Sequence, residues 1–200
     1  MNYNQMKLNR DEFGSPDNRG NVITTEEAFT LLREWVSNER LITHMQQVGH
    51  LMQRYAGAKG YSSEDQHRWY LAGLLHDADW EKWPDTHCNK IVEELEKRNL
   101  DPEIIRAIAS HGPKYFGVEP VSEMDKMLYA FDELSGLIHA YSLMRPEGYV
   151  GMEVKGVKKR LKDKTFAAQV SREDIADASM RAQIELDELI KFVINHQIDA

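Results

Sequence analysis

Leu71-Ala-Gly-Leu-Leu-His-Asp-Ala-Asp-Trp80 runs from a continuous apolar segment straight into a histidine and a carboxylate. The apolar run that follows Ser63 predicts the end of a buried helix, with His76-Asp77 in its closing turn. Adjacent residues point about 100° apart on a regular helix, so the two side chains converge on one point only where that turn and their torsions cooperate. A neutral imidazole beside a carboxylate at such a place suits a buried divalent ion. Taken alone, the dipeptide reads sooner as a hydrogen-bonded helix terminus, and its weight comes from what answers it elsewhere in the chain.

Three further residues answer it. His44 lies in Leu41-Ile-Thr-His-Met-Gln-Gln-Val-Gly-His-Leu-Met52, where Leu41, Met45, Val48, Met52 and Tyr55 recur at helical spacing as a core stripe. It shares a face with Val48 and Leu51 and so borders that core. His111 closes Glu103-Ile-Ile-Arg-Ala-Ile-Ala-Ser-His111, a short helix opened by Asp101-Pro102 as cap and first-turn residue and broken by Gly112-Pro113. Asp132 falls inside Met127-Leu-Tyr-Ala-Phe-Asp-Glu-Leu-Ser-Gly-Leu-Ile138, an apolar helix in which a carboxylate is expensive to bury without a partner such as a metal ion.

In this order His44, His76-Asp77 and Asp132 resemble the ligand pattern of the HD-domain superfamily of metal-dependent phosphohydrolases: a His, a His-Asp doublet and a distal Asp, all on helices. The doublet region, Leu-Leu-His-Asp followed by Asp79-Trp80-Glu81-Lys82, is similar more narrowly to the small bacterial HDIG-type branch, with Ala78-Asp79 where that motif has Ile-Gly. Neither replaced residue supplies a ligand, so the departure leaves the metal set intact. The resemblance covers about Glu39 to Arg172. It implies an all-α fold, a single-domain irregular helical bundle with its site between facing helices. It also implies that two-metal members place two more histidines between the doublet and the distal Asp, with the doublet Asp bridging, and His87 and His111 occupy that interval here.

Two imidazoles and two carboxylates leave open positions on a six-coordinate divalent ion for water and a phosphate oxygen. Imidazole favours a transition metal over magnesium, and Mn, Fe, Co, Ni, Mg and Zn all suit the donor types, as one ion or two. Such an ion activates water and polarises a phosphoryl oxygen, which suits hydrolysis of a small phosphate ester or nucleotide, with Asp77 both ligand and catalytic group. Asp79 and Glu81, just past the doublet, are candidates to orient water or move a proton, against the plainer reading of a solvated acidic turn. Lys114, close after His111, and Arg145, before Pro146 at the end of the Asp132 helix, are candidates to bind phosphate, although both residue types are ordinarily surface cations. Two other classes stay open. One is a di-iron oxygenase, whose paired site His87 and His111 would complete; the other is a metal-bound signalling module without turnover, against which the full ligand set argues.

Composition sets the outer bounds. Two hundred residues suffice for one domain with one core, and 42% hydrophobic with 29% charged residues is ordinary for a globular protein. No stretch approaches the roughly 20 apolar residues needed to cross a bilayer, so no membrane partner is expected. The single cysteine, Cys88, cannot form an intrachain disulfide, in keeping with a cytoplasmic setting. A net charge of -8 gives no support to coating duplex nucleic acid, while a small phosphorylated substrate is compatible with a metal and a few local cations. The basic run Lys155, Lys158, Lys159, Arg160, Lys162 and Lys164 reads as a solvated face, since it lacks interleaved aromatics for base stacking.

Residues 1–21 are polar, lack a signal-peptide core and read as a flexible arm ahead of a domain over 22–200. Thr24 with Glu27 predicts a capping box for a helix through about Ser37. Further helices are expected over Glu39–Ala58, from Ser63 to the doublet, from about Pro84 to Arg98, from Pro102, from Ser122 through Asp132, and from Ser171 to about Ser179 and on to His196. Gly148, Gly151 and Gly156 mark the least regular stretch.

Overall fold

Local capping chemistry sets most of the helix starts in the computed structural model, which describes residues 3–10, 12–13 and 19–197. Thr24 opens α1 (Thr25–Trp35) with a reciprocal box: its hydroxyl accepts from Glu27 N while the Glu27 carboxylate accepts from Thr24 N. Asn38 caps α2 (Glu39–Ala58), and Ser62 caps α3 (Ser63–Leu75), which stops with His76 as its C-cap. α4 (Asn89–Lys97) buries Ile91, Val92 and Leu95, and α5 (Pro102–Ser110) starts on the Asp101 cap with proline in its first turn. α6 (Pro113–Phe116) is one turn. A second reciprocal box, Ser122 with Asp125, opens α7 (Glu123–Ser142).

The long α7 is apolar on nearly every side, as a central helix must be, and α2, α5, α8 (Val154–Lys162), α9 (Arg172–Ala182) and α10 (Leu186–His196) all pack on it. Among the described residues there is no β-strand, only an isolated parallel bridge between Asn21 and Leu100. The architecture is therefore all-α. Among the described residues no helix is long and apolar enough to cross a membrane.

The closest approach that positions the site joins α2 to α3. A Cβ added at Gly73 would stand 2.7 Å from both Gly49 Cα and Gly49 N and 2.8 Å from Val48 C, so only glycine lets these two backbones meet. This contact sets the α3 end, with His76 and Asp77, against the α2 face that carries His44.

Three expectations need correcting. The segment from Pro84 to Arg98 is not one helix: a short turn at Pro84–Thr86 gives way to extended His87 and to Cys88 at φ 64 before α4 begins. The reason is Asp79, whose Oδ2 accepts from Lys90 N and Ile91 N at 3.0 Å each and so fixes where α4 starts. The glycine-marked stretch contains a helix, α8, in which Gly156 lies against the Tyr141 hydroxyl, 2.9 Å from where a Cβ would be. Nor are the described residues of the N-terminal arm free. Met6 and Phe13 are buried, Leu8 N donates to Phe116 O, and Asn89 Nδ2 donates to Met6 O, so two apolar anchors hold a polar segment to the body. The same expectation for residues 1–2, 11 and 14–18 falls outside the described residues.

Candidate metal centre

Six side chains from five places in the chain gather in one cluster. His44 projects from α2, His76 caps α3, Asp77 follows it, His87 precedes α4, His111 caps α5, and Asp132 comes from the middle of α7. Three overlapping sets form: His44, His76 and Asp77; His76, His111 and Asp132; Asp77, His87 and His111. In each set, one candidate donor atom per residue lies within 4.8 Å of the others.

Asp77 divides the cluster in two. Its Oδ2 lies 3.6 Å from His76 Nε2 and 4.0 Å from His44 Nε2, while its Oδ1 lies 3.2 Å from His87 Nε2 and 3.6 Å from His111 Nε2. Asp132 Oδ1 completes the first half, 3.0 Å from His44 Nε2 and 3.4 Å from His76 Nε2.

The outer hydrogen bonds settle which ring nitrogen faces inward. His76 Nδ1 donates to Gly73 O at 2.7 Å, His111 Nδ1 to Ile108 O at 2.6 Å, and His87 Nδ1 to Asp79 Oδ1 at 2.6 Å. Carbonyl and carboxylate oxygens only accept, so each Nδ1 carries its hydrogen and each neutral ring presents a bare Nε2. These lone pairs and two carboxylates then face one another, with His87 Nε2 and His111 Nε2 just 3.3 Å apart and His76 Nε2 buried without a hydrogen-bond partner. Acceptors packed this way require positive charge between them, supplied either by extra protons or by a cation. The donor types fit a divalent transition metal, and the outer bonds to Nδ1 are those that orient ligating histidines.

With no cation, protons are held tightly. Burial opposes charging His76, but Asp77 and Asp132 outweigh it and push the imidazole up to about 9. Burial likewise opposes charge on His87, and the bonds to Asp77 and Asp79 push it up to about 10. Asp77, against its own desolvation, is held well below the ordinary carboxylate range by His76, His111 and His87; Asp132 is held down similarly by His76 and His44.

Access is one-sided. His44, Asp77 and Asp132 keep 23%, 17% and 20% side-chain exposure, whereas His76, His87 and His111 are buried. Trp80 meets the His87 ring edge-on at 4.9 Å, and Phe116 packs on His87 and His111, which keeps water from the back of the cluster.

The other candidates lie elsewhere. Asp79 is fully buried behind His87, so it orients that ring and caps α4 and does not face water in the site. Glu81 accepts from Ser37 N, Ser37 Oγ and Asn38 N, tying the turn after the doublet to the α1–α2 corner. Arg145 spends its donors on Gly148 O and Val150 O, with its guanidinium over the Tyr141 ring. Lys114 is a surface cation 3.5 Å from Glu173. One residue was overlooked: Glu133, next to Asp132, accepts from Ser171 N, and burial followed by the Asp132 charge pushes it up to about 8. The signal was a second carboxylate in the same apolar helix.

Asp79→Asn keeps the size of the side chain and removes the charge behind His87. Metal affinity is expected to fall roughly 10–100-fold, the usual cost of losing an outer partner. Titration of the chelator-treated variant measures this; an unchanged affinity would reduce Asp79 to a cap of α4.

The family model of the HD domain matches residues 41–137, a span that contains all six clustered residues. No curated protein and no solved structure matches the chain. With the His, His-Asp and Asp positions inside the matched span and their donor atoms converging, the chain is similar to the HD domain over residues 41–137.

Proposed function

We propose that this protein is a metal-dependent phosphohydrolase of the HDIG-type branch that cleaves a small phosphate ester, nucleotides included. The observation that carries the reading is the division of Asp77, whose two oxygens face two separate histidine pairs. A divalent ion held there lowers the pKa of water towards neutrality and polarises a phosphoryl oxygen. His76, His87 and His111 enter as ligands and not as acids or bases, because Gly73 O, Asp79 and Ile108 O fix their protonated nitrogens outward. Asp77 and Asp132 bring the negative charge that balances the ion. Glu133 keeps its proton at neutral pH and senses the charges of both Asp132 and Asp77, which suits it to hold a proton for the leaving oxygen. Substrate and water approach from the exposed edge formed by His44, Asp77 and Asp132.

The histidine-rich half, with His87 and His111 both at Asp77 Oδ1, also suits paired iron and oxygen chemistry, and this favours a di-iron oxygenase as the second reading. The test begins with metal analysis of protein purified without added metal. Chelation, reloading with several divalent ions and a screen of phosphomonoesters and phosphodiesters follow. Metal-stimulated phosphate release is expected; its absence with every ion, together with oxygen uptake by the iron-loaded protein, would replace the first reading with the second.

A further inference from the structure

Positive charge outside the metal centre is concentrated on α8. Lys155, Lys158, Lys159 and Lys162 recur at i, i+3, i+4 and i+7, which puts them on one face of the helix. With Val154, and with Asp187 from the first turn of α10, they line a cleft of about 430 Å³. Lys158 reaches Asp187 at 2.7 Å and Lys155 stands 4.0 Å from Glu153. Among the described residues, Lys159 and Lys162 have no carboxylate within salt-bridge distance.

Lys159 and Lys162, in the last turn, suit the dipole of α8, but the stripe as a whole works against its helix. Like charges three and four residues apart repel, and α8 lacks both a side-chain N-cap bond and an acidic residue in its first turn. It contains Gly156 and buries only Val157. A local sequence choice that opposes the fold marks a place where function has been favoured over stability. The rest of the chain makes the concentration sharper, since the whole carries -8.

We propose that the cleft between α8 and α10 is a binding site for a compact polyphosphate anion carrying three or more negative charges. Four ammonium groups supply point charges without the fork geometry of arginine, so they recognise charge density and not a planar group. The volume lies in the range of small-molecule sites. A single-stranded nucleic acid fits less well, because no aromatic side chain lines the cleft for base stacking. A flat anionic membrane fits less well, because the exposed apolar residues that would anchor it, Leu143, Met144 and Val150, are not among those that line the cleft with the lysines. None of the lining residues belongs to the metal cluster, so this site stands or falls independently of the phosphohydrolase reading.

The test is calorimetric titration of inorganic tripolyphosphate into the full chain stripped of divalent metal. One site with micromolar affinity is expected, weakening as salt is raised. The double variant K159A/K162A should weaken binding at least about tenfold, the equivalent of one charge-assisted contact, and alanine at two exposed helical positions leaves the fold intact. Asp77→Ala should leave tripolyphosphate binding unchanged. No binding, binding untouched by K159A/K162A, or binding lost in Asp77→Ala would each overturn the proposal. So would capture by phosphatidylserine vesicles or oligouridylate that depends on these lysines when tripolyphosphate does not bind.

Discussion

Asp77→Ala is expected to cost the protein its divalent metal and its turnover together. Asp77 presents one oxygen to each half of the site, so its removal takes an oxygen from His44 and His76 on one side and from His87 and His111 on the other. Loss of an outer partner costs roughly 10–100-fold, and loss of the shared inner carboxylate should exceed about 100-fold in metal affinity and in kcat/KM. Protons give an independent readout. In the metal-free chain His76 and His87 titrate at about 9 and about 10, so both are charged at neutral pH, and a metal must displace those protons to bind. Calorimetry at pH 7.5 in buffers of different ionisation enthalpy should show proton release on metal uptake. Stability follows the same linkage. A raised imidazole pKa stabilises the metal-free fold fully below the ordinary histidine value of about 6.5, and that contribution is lost as pH rises through 9 to 10. The lowered carboxyls of Asp77 and Asp132 act at the other end: their contribution is present above the ordinary value of about 3.9 and is lost as pH falls below it. Metal-free protein should therefore lose stability towards alkaline pH, and Asp77→Ala should flatten that loss. Metal retained at the wild-type level with full turnover would remove Asp77 from the centre.

What could be read from the sequence was mostly local. The Thr24–Glu27 and Ser122–Asp125 boxes are built from residues three apart, and the end of α3 at the doublet follows from an apolar run that stops. The order His44, His76-Asp77, Asp132 pointed to residues that the fold brings together. What stayed hidden depends on contacts between distant backbones. The inward turn of His87 needs Cys88 in a left-handed conformation, which no propensity of cysteine suggests, and it needs Asp79 to take the first N–H groups of α4. The same contact puts Asp79 behind His87, away from the open edge of the cluster. Glu81 and Arg145 stand near the motif and at a helix end in the sequence, yet their partners are the backbone and Ser37 hydroxyl of a corner and the backbone of a loop, which a sequence does not display. α8 escaped because its glycine and its lysine stripe both argue against a helix, and the Tyr141 hydroxyl against Gly156 is a tertiary fact.

Gly73→Ala is expected to destabilise the fold and weaken metal binding although it changes no ligand. In a helix interior the substitution alone would stabilise by about 1 kcal/mol, because alanine is the better helix former. Packing reverses the sign. The new methyl would sit 2.7 Å from Gly49 Cα and N and 2.8 Å from Val48 C, backbone atoms that cannot rotate aside, so α2 must retreat. Overpacking costs about 1–3 kcal/mol where side chains can adjust, and a clash with backbone belongs at or above the top of that range. The retreat carries His44 away from the α3 end, lengthening its approaches of 3.0 Å to Asp132 and 4.0 Å to Asp77, and it strains the bond from His76 Nδ1 to Gly73 O. Gly136→Ala in α7 is the matched control: its Cβ would meet only Val170 Cγ2 at 4.0 Å, so stability should hold or rise by up to about 1 kcal/mol. Denaturant midpoints and metal titrations of the two variants decide the matter. Equal stabilities would mean that the glycine contact between α2 and α3 does not hold the centre together, while a lower midpoint and weaker metal binding confined to Gly73→Ala would trace the geometry of the site to one missing methyl group.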